Sequence, residues 1–330
     1  MSVSGTTSYT LTQYQLVLRA FNILNVNGIG RTPSAEDISL AVDVLNMMLK
    51  AWGTDGLHLW CKTEGILYVQ QYKSKYGFGN SSSIGLAPAN ATYASNAQMT
   101  LINASTTSAT TSITVLNSTG FTVNSPIGIV QNDNSLFWTT IASIPSPTVI
   151  NLNVATNLPL NLAAPVYSYT QTLSKFYRVN SARFVKGFDY GATSSINEIL
   201  MNPLSHSDYY ALPIKSINGL SNQYYYDPQL DYGTLSLWPR PNDCNYRVHF
   251  TFERTMDDVI NPNDSFDLPQ EWLEPVTWQL ALRLIPAFGK EKKAPFITDM
   301  AEKLMAKLLD FDKETTGVSF QPDRDGGGIY

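Results

Sequence analysis

The feature that most constrains this 330-residue chain is an abrupt change of composition between residues 80 and 170. Those 91 positions hold one charged side chain, Asp133, and 39 Ser, Thr or Asn, whereas charged residues make up 15% of the whole chain. The shift marks an inserted domain. Short β-type runs such as Ser112–Leu116, Ile127–Val130, Leu136–Ile141 and Thr148–Val154 are separated by Asn, Gly and Pro turn signals. Their spacing predicts a small antiparallel barrel or sandwich. So few charges leave its strand edges guarded only by Pro, turns or contacts, so the domain is expected to pack into something larger.

The flanking sequence is of another kind. Leu16, Val17, Ala20, Phe21 and Leu24 recur at helical spacing, and Asn27-Gly28 ends that pattern. Ser34 can cap a second helix, with Asp37 three residues on, and Ile38, Ala41, Val42, Leu45, Met48, Leu49 and Trp52 give it one apolar stripe. From Leu57 to about Tyr72 the residues favour one or two strands. Beyond Lys175, Phe176–Val179 and Ala182–Val185 read as strands and Ile196–Pro203 as a short helix. Thr234–Trp238 and Tyr246–Phe252, joined by Pro239–Asp243, read as a hairpin. Two helices follow: one from Leu268-Pro-Gln-Glu-Trp272, which Pro286 should kink or end, and one over Ile297–Phe311.

The expected fold class is therefore α+β: a helical bundle with an antiparallel β-hairpin and sheet region and an inserted small all-β domain, barrel or sandwich. The expected divisions are 1–79, the helix pair and first strands, 80–170, the insert, 171–267, a β-rich region, and 268–313, helices packing on the N-terminal pair. Residues 314–330 lose periodicity and form a tail expected to be flexible when alone.

Several chemistries are disfavoured. A net charge of −5 argues against a basic phosphate-binding surface. Lys290-Glu-Lys-Lys293 is a short basic cluster of the kind found in solvated loops, and Tyr224–Tyr226 fits packing between strands or in a protein interface. Cys61 and Cys244 lie far apart, so no disulfide framework or metal site is offered, and a reducing compartment fits best. No 18-residue apolar run and no secretory pattern occurs, which predicts a soluble chain without a membrane anchor.

Catalytic candidates are sparse. The three histidines, His58, His206 and His249, sit at no metal-ligand spacing, and His206-Ser-Asp208 places its side chains on diverging neighbours. Gly28-Ile-Gly30 lacks the strand before it that a dinucleotide loop requires. Asp323-Arg-Asp325-Gly326 opens like a calcium loop but has no residue to supply the closing Glu. Acidic pairs, Asp257-Asp258 and Asp264/Asp267, resemble glycosidase carboxylates but fit turn-capping better. No catalytic, cofactor or metal residues are expected, and the chain is read as a non-enzyme.

Two ends of the chain carry a resemblance. The stretch Ala41-Val-Asp-Val-Leu-Asn-Met-Met-Leu-Lys-Ala-Trp-Gly-Thr-Asp-Gly-Leu57 resembles the N-terminal signature of short-tailed phage head-to-tail adaptors, the packaged-DNA-stabilising adaptors and tail tubular A proteins. Leu235-Ser-Leu-Trp-Pro-Arg-Pro241, Tyr246–Phe250, Phe266-Asp-Leu-Pro-Gln-Glu-Trp272 and Leu280–Leu284 are similar to later parts of that family in the same order. The insert is similar through Ile127–Val130 and Phe137–Ile141.

The resemblance implies a structural virion protein at the head-tail junction, assembled in the host cytoplasm. It implies a homo-oligomeric ring, usually of twelve copies, between portal protein and tail nozzle or tail fibre proteins. Double-stranded DNA would pass through the lumen without sequence-specific binding. Glu314–Tyr330 would dock on the portal, through Phe320, Pro322, Arg324, Gly326, Gly327, Gly328, Ile329 and Tyr330. The competing expectation is a tail-associated module that binds carbohydrate or host surface through the insert. Phe137 and Trp138 are its candidate stackers, of which strand alternation exposes only one.

Overall fold

The computed structural model describes residues 9–26, 32–54, 59–187, 189–190, 193–194 and 196–311. It contains helices and curled sheets, so the chain is mixed α+β. In order the elements are α1 (Gln13–Leu24), α2 (Ala35–Thr54), β1 (Lys62–Tyr68), β2 (Lys75–Gly79), β3 (Ala91–Tyr93) and β4 (Ala97–Leu101). There follow β5 (Ser112–Thr114), β6 (Pro126–Val130), β7 (Leu136–Ser146), β8 (Val149–Leu152), β9 (Pro165–Tyr169), β10 (Phe176–Lys186), β11 (Asp189–Tyr190) and β12 (Thr193–Ser194). Then come β13 (Asn197–Pro203), α3 (His206–Ala211), β14 (Asn218–Gly219), β15 (Gln223–Pro228), β16 (Tyr232–Trp238), β17 (Arg240–Pro241) and β18 (Tyr246–Arg254). The last two helices are α4 (Leu273–Phe288) and α5 (Ala294–Phe311). The chain divides into two units, residues 1–60 with 256–330, and residues 61–255.

The first unit is helical. Thr12 caps α1 reciprocally with Gln15, and Asn25 closes it in the left-handed conformation at φ 52°. Ser34 Oγ accepts from Asp37 N at 3.1 Å and starts α2, as its spacing predicts. The stripe expected on α1 is buried, Leu16, Val17, Ala20, Phe21 and Leu24, and so is most of that on α2, Ala41, Leu45, Met48, Leu49 and Trp52, while Ile38 and Val42 are half-buried. Both helices contact α4, which also packs on α5. Aromatic pairs fix these contacts, Phe21 with Phe288 at 5.3 Å and Trp52 with Trp272 at 5.9 Å between centroids. Pro286 does not end α4 at once: the helix runs on to Phe288 before Gly289 turns left-handed at φ 61°.

The second unit holds two sheets. The larger runs β2-β16-β15-β13-β10-β18-β1-β3 and is antiparallel except between β13 and β15. On β18 the pleat sends Tyr246, Val248, Phe250 and Phe252 into a core with Tyr76, Phe78, Phe176, Phe184, Leu235 and Leu237. Arg247, His249, Thr251 and Glu253 take the other face.

Two expectations fail here. The segment read as a helix over Ile196–Pro203 forms strand β13 (Asn197–Pro203): Ile196, Ile199 and Leu200 have helical spacing, but β10 supplies antiparallel partners from Ala182 to Lys186 that local propensity cannot outweigh. The hairpin expected between Thr234–Trp238 and Tyr246–Phe252 does not form, since β16 pairs with β15 and β2 while β18 pairs with β1 and β10. Pro239 and Pro241 remove backbone donors from the connection. That connection instead runs parallel to β14, with Arg240 N donating to Ile217 O at 2.9 Å.

The smaller sheet runs β4-β9-β6-β7-β8-β5 over residues 97–169. It closes on itself, because Ile102 bridges Val115, Asn103 N donates to Thr114 O at 2.8 Å and Leu116 N to Leu101 O at 3.0 Å. Closure satisfies the edges that charges do not guard. Ile102, Ile113, Val115, Ile127, Ile129, Ile141, Ile150 and Val166 fill its interior. The Asn-rich composition has a local cause: Asn124 and Asn134 adopt left-handed φ, and Asn117 Oδ1 accepts from Thr119 N at 2.9 Å. The preceding strand β3 belongs to the larger sheet, through β1.

Candidate functional site

The residues singled out from sequence fall into three groups. Gly28, Gly30, His58 and the whole tail, with Phe320, Pro322, Arg324, Gly326, Gly327, Gly328, Ile329 and Tyr330, lie outside the described residues. A second group has local structural duties. Asp208 accepts from Ser205 Oγ at 2.6 Å in a reciprocal cap of α3, while His206 stacks beside Tyr210 at 4.5 Å. His206 and Asp208 therefore do not converge on Ser207 as a triad would.

The acidic loop is knitted to the helices of its own unit. Asp258 pairs with Lys50 at 2.7 Å, and Lys50 Nζ also donates to Met256 O. Asn46 holds Val259 twice, donating to its carbonyl at 2.9 Å and accepting from its N–H at 3.2 Å. Asp264 accepts from the backbone N–H groups of Asn261 and Ile260, and these bonds hold its carboxyl below the usual range. This is the turn-capping arrangement. Lys293 donates to Ile23 O at 3.3 Å, and Tyr226 OH to Phe176 O at 2.7 Å.

The third group meets on the second unit. Trp138 lies against Tyr68 and Tyr169, each 5.6 Å away, and Gly128 makes its room, since a Cβ there would stand 2.8 Å from the indole. Phe137 is half-buried. His249 joins Glu64, Arg183 and Arg247 on the outer face of the larger sheet: Nδ1 lies 3.2 Å from Glu64 Oε1, and Arg183 pairs with both Glu64 and Glu198. Burial, with Arg247 adding to it, holds the His249 imidazole below its ordinary range, so it is neutral near pH 7. Among the described residues no group of three or more His, Cys, Asp or Glu is placed to hold a metal ion, and no helix is long and apolar enough to cross a membrane.

What the sequence reading missed is a second stripe on α2. Leu40, Val44, Met47 and Ala51 recur at i, i+4, i+7 and i+11, beside the buried stripe. Leu40 is 43% and Met47 63% exposed, and Val44 is half-buried. The signal was present, because α2 carries apolar residues over more of its circumference than one buried stripe requires. On the second unit, Leu200, Tyr210, Ile214, Ile217 and Leu220 are exposed as well. In the first unit, a groove of about 570 Å³ runs between α1 and α4 past Leu11, Ile23, Leu273 and Trp278. At its rim Arg19 donates to Tyr9 OH at 2.6 Å.

These features are apolar surfaces on a framework whose acidic residues serve caps such as those of Asp208 and Asp264 or ion pairs such as those of Asp258 and Glu64, an arrangement suited to association. No family model and no curated protein matches the chain.

Proposed function

We propose that this protein is a head-to-tail adaptor of a short-tailed phage. On this reading it is a structural virion component that forms a ring between portal and tail, extends the DNA channel and retains the packaged genome. The observation that carries the reading is the second stripe of α2. A helix that buries Ala41, Leu45, Met48 and Leu49 and still presents Leu40, Val44 and Met47 has a face suited to a second helix. In a closed ring every copy would offer that face to its neighbour, by a heterologous contact.

Other features are consistent with this role. On this reading the helices would serve the ring, the β-region would meet tail nozzle or fibre proteins, and Glu314–Tyr330 would dock on the portal. A net charge of −5 suits a lumen through which duplex DNA slides, because a wall that gripped phosphates would resist movement.

The test is the double variant Leu40→Glu, Met47→Glu. It charges the exposed stripe and leaves the buried one intact, so the subunit is expected to fold and to form no ring on portal. A ring of wild-type mass from that variant contradicts the reading.

A further inference from the structure

The exposed stripe of α2 calls for a counterpart, and the same unit holds a surface that fits it. The groove between α1 and α4 shares Tyr9, Leu11, Gln270 and Leu273 with a second hollow of about 450 Å³ that runs past Phe266 and Leu268, so the two form one trough. We propose that this trough receives the α2 stripe of a second copy of the chain. The inference rests on the ring reading and names the acceptor half of its contact, which is heterologous because stripe and trough are different surfaces of one subunit.

Shape is the first argument. Leu40, Val44, Met47 and Ala51 follow one side of α2, the pattern of a helix that lies in an apolar trough. At about 1.5 Å per residue the stripe is roughly 16 Å long, and the α1 wall of the trough, from Leu11 to Ile23, roughly 18 Å. Ile23, Phe266, Leu268 and Trp278 are half-buried there, so apolar surface remains for an occupant to cover. Phe296, 65% exposed, stands beside Trp278 with its ring centroid 6.0 Å away. Uncovered aromatic pairs of this kind are what protein interfaces bury.

Charge gives the direction. Glu36 and Asp37 lie in the first turn of α2 and Asp43 is exposed beyond them, whereas Lys50 near its end is paired with Asp258. The trough is basic at its Ile23 end, where Lys293 donates to Ile23 O and Lys290 and Lys292 flank a single acid, Glu291. Glu271 and Glu274 stand at the other end, and Arg19, on α1 between the two, donates to Tyr9 OH. An α2 that starts at Ile23 and runs antiparallel to α1 brings its acidic turn to the lysines. The reverse direction sets that turn against Glu271 and Glu274.

The experiment crosslinks full-length chains, each carrying one added cysteine, with a short bismaleimide. Leu40→Cys, Asn22→Cys and Gln270→Cys all change exposed residues, while the native Cys61 and Cys244 are buried. Leu40→Cys mixed with Asn22→Cys is expected to give a crosslinked dimer in roughly tenfold excess over Leu40→Cys mixed with Gln270→Cys. Trp278→Ala should weaken association about thirtyfold by sedimentation, as loss of a buried interface aromatic does, with an unchanged circular dichroism spectrum showing that it folds. Leu40→Cys joined chiefly to itself would mean that stripe meets stripe, and excess product with Gln270→Cys would reverse the direction. Crosslinking that appears only after removal of residues 1–8 would assign the trough to the start of its own chain. Each of these three results overturns the proposal while the ring reading stands. A wild-type chain that forms no ring on portal, with variants that give no crosslink, overturns both.

Discussion

Arg247 donates its Nε–H to Nε2 of His249 at 2.9 Å, two residues further along the same strand. That bond fixes the imidazole tautomer: Nε2 is the acceptor, so Nδ1 carries the proton and donates to Glu64 Oε1 at 3.2 Å. Protonating Nε2 would set two donors against each other beside a guanidinium. The folded state therefore binds that proton less readily than the unfolded chain, whose histidine titrates near 6.5.

The sign of the pH dependence follows. Below about pH 6.5 the unfolded chain takes up a proton that the folded one resists, so stability present above that pH is lost progressively as pH falls. His249→Gln keeps one acceptor and one donor without titrating. Thermal midpoints from pH 8 to 5 should fall less steeply in the variant, and equal slopes would show that His249 does not contribute.

Trp138 and Gly128 face each other across the β6–β7 pair. Gly128→Ala puts a Cβ 2.8 Å from the indole and should cost about 1–3 kcal/mol by overpacking. Trp138→Ala empties the space beside Tyr68 and Tyr169, a loss somewhat below the roughly 3–5 kcal/mol of a fully enclosed aromatic. Denaturant unfolding of both variants measures this. A Trp138→Ala protein of wild-type stability would return that ring to the role of a surface stacker.

The closed sheet should be removable, with limits set by pairing rather than by composition. Asn96 Nδ2 donates to Gln171 Oε1 at 3.0 Å, so the two ends of the 97–169 segment lie side by side and a short linker can join them. Excision is expected to leave a cooperatively folding chain that exposes Ile66 and Tyr68 and self-associates more readily. Excision of all of 80–170 should fail, because it takes buried Ser81, Ala89 and Ala91 and strand β3 from the larger sheet. Circular dichroism and thermal melts distinguish the two deletions, and equal behaviour would contradict this boundary.

On the adaptor account, deleting Glu314–Tyr330 should leave a subunit that still folds and abolish its stable attachment to portal. Undiminished co-sedimentation of the truncated chain with portal would remove the docking role from that segment.

Legibility in the sequence followed the range of the interactions involved. Helices α1 and α2 could be read because their apolar stripes repeat locally and, in α2, because Ser34 and Asp37 act within one turn; the Thr12–Gln15 cap of α1 was not read, although it is equally local. The closed sheet could be placed because Ile127–Val130 and Leu136–Ile141 are neighbours in sequence and in space. Strand β13 could not, since its partner β10 begins some twenty residues earlier and nothing local in Ile196–Pro203 records it. Sequence separation also hid the pairing of β18 with β1 and of β16 with β2, whereas β15, the other partner of β16, is its neighbour in sequence and was missed because Thr234–Trp238 was matched forward to Tyr246–Phe252 instead. In the candidate site, the stripe of Leu40, Val44 and Met47 was visible as spacing, but only burial separates it from the stripe at Ala41, Leu45 and Met48.

The central claim is assembly, and mass is its most direct measure. The purified chain, alone and mixed with the portal protein that the adaptor account requires as its partner, should be weighed by sedimentation or mass photometry and imaged in negative stain. The adaptor account predicts that portal gains a closed ring of copies on one end, with a mass increment that is a whole multiple of 36.6 kDa. A chain that remains monomeric and leaves the mass of portal unchanged would contradict it.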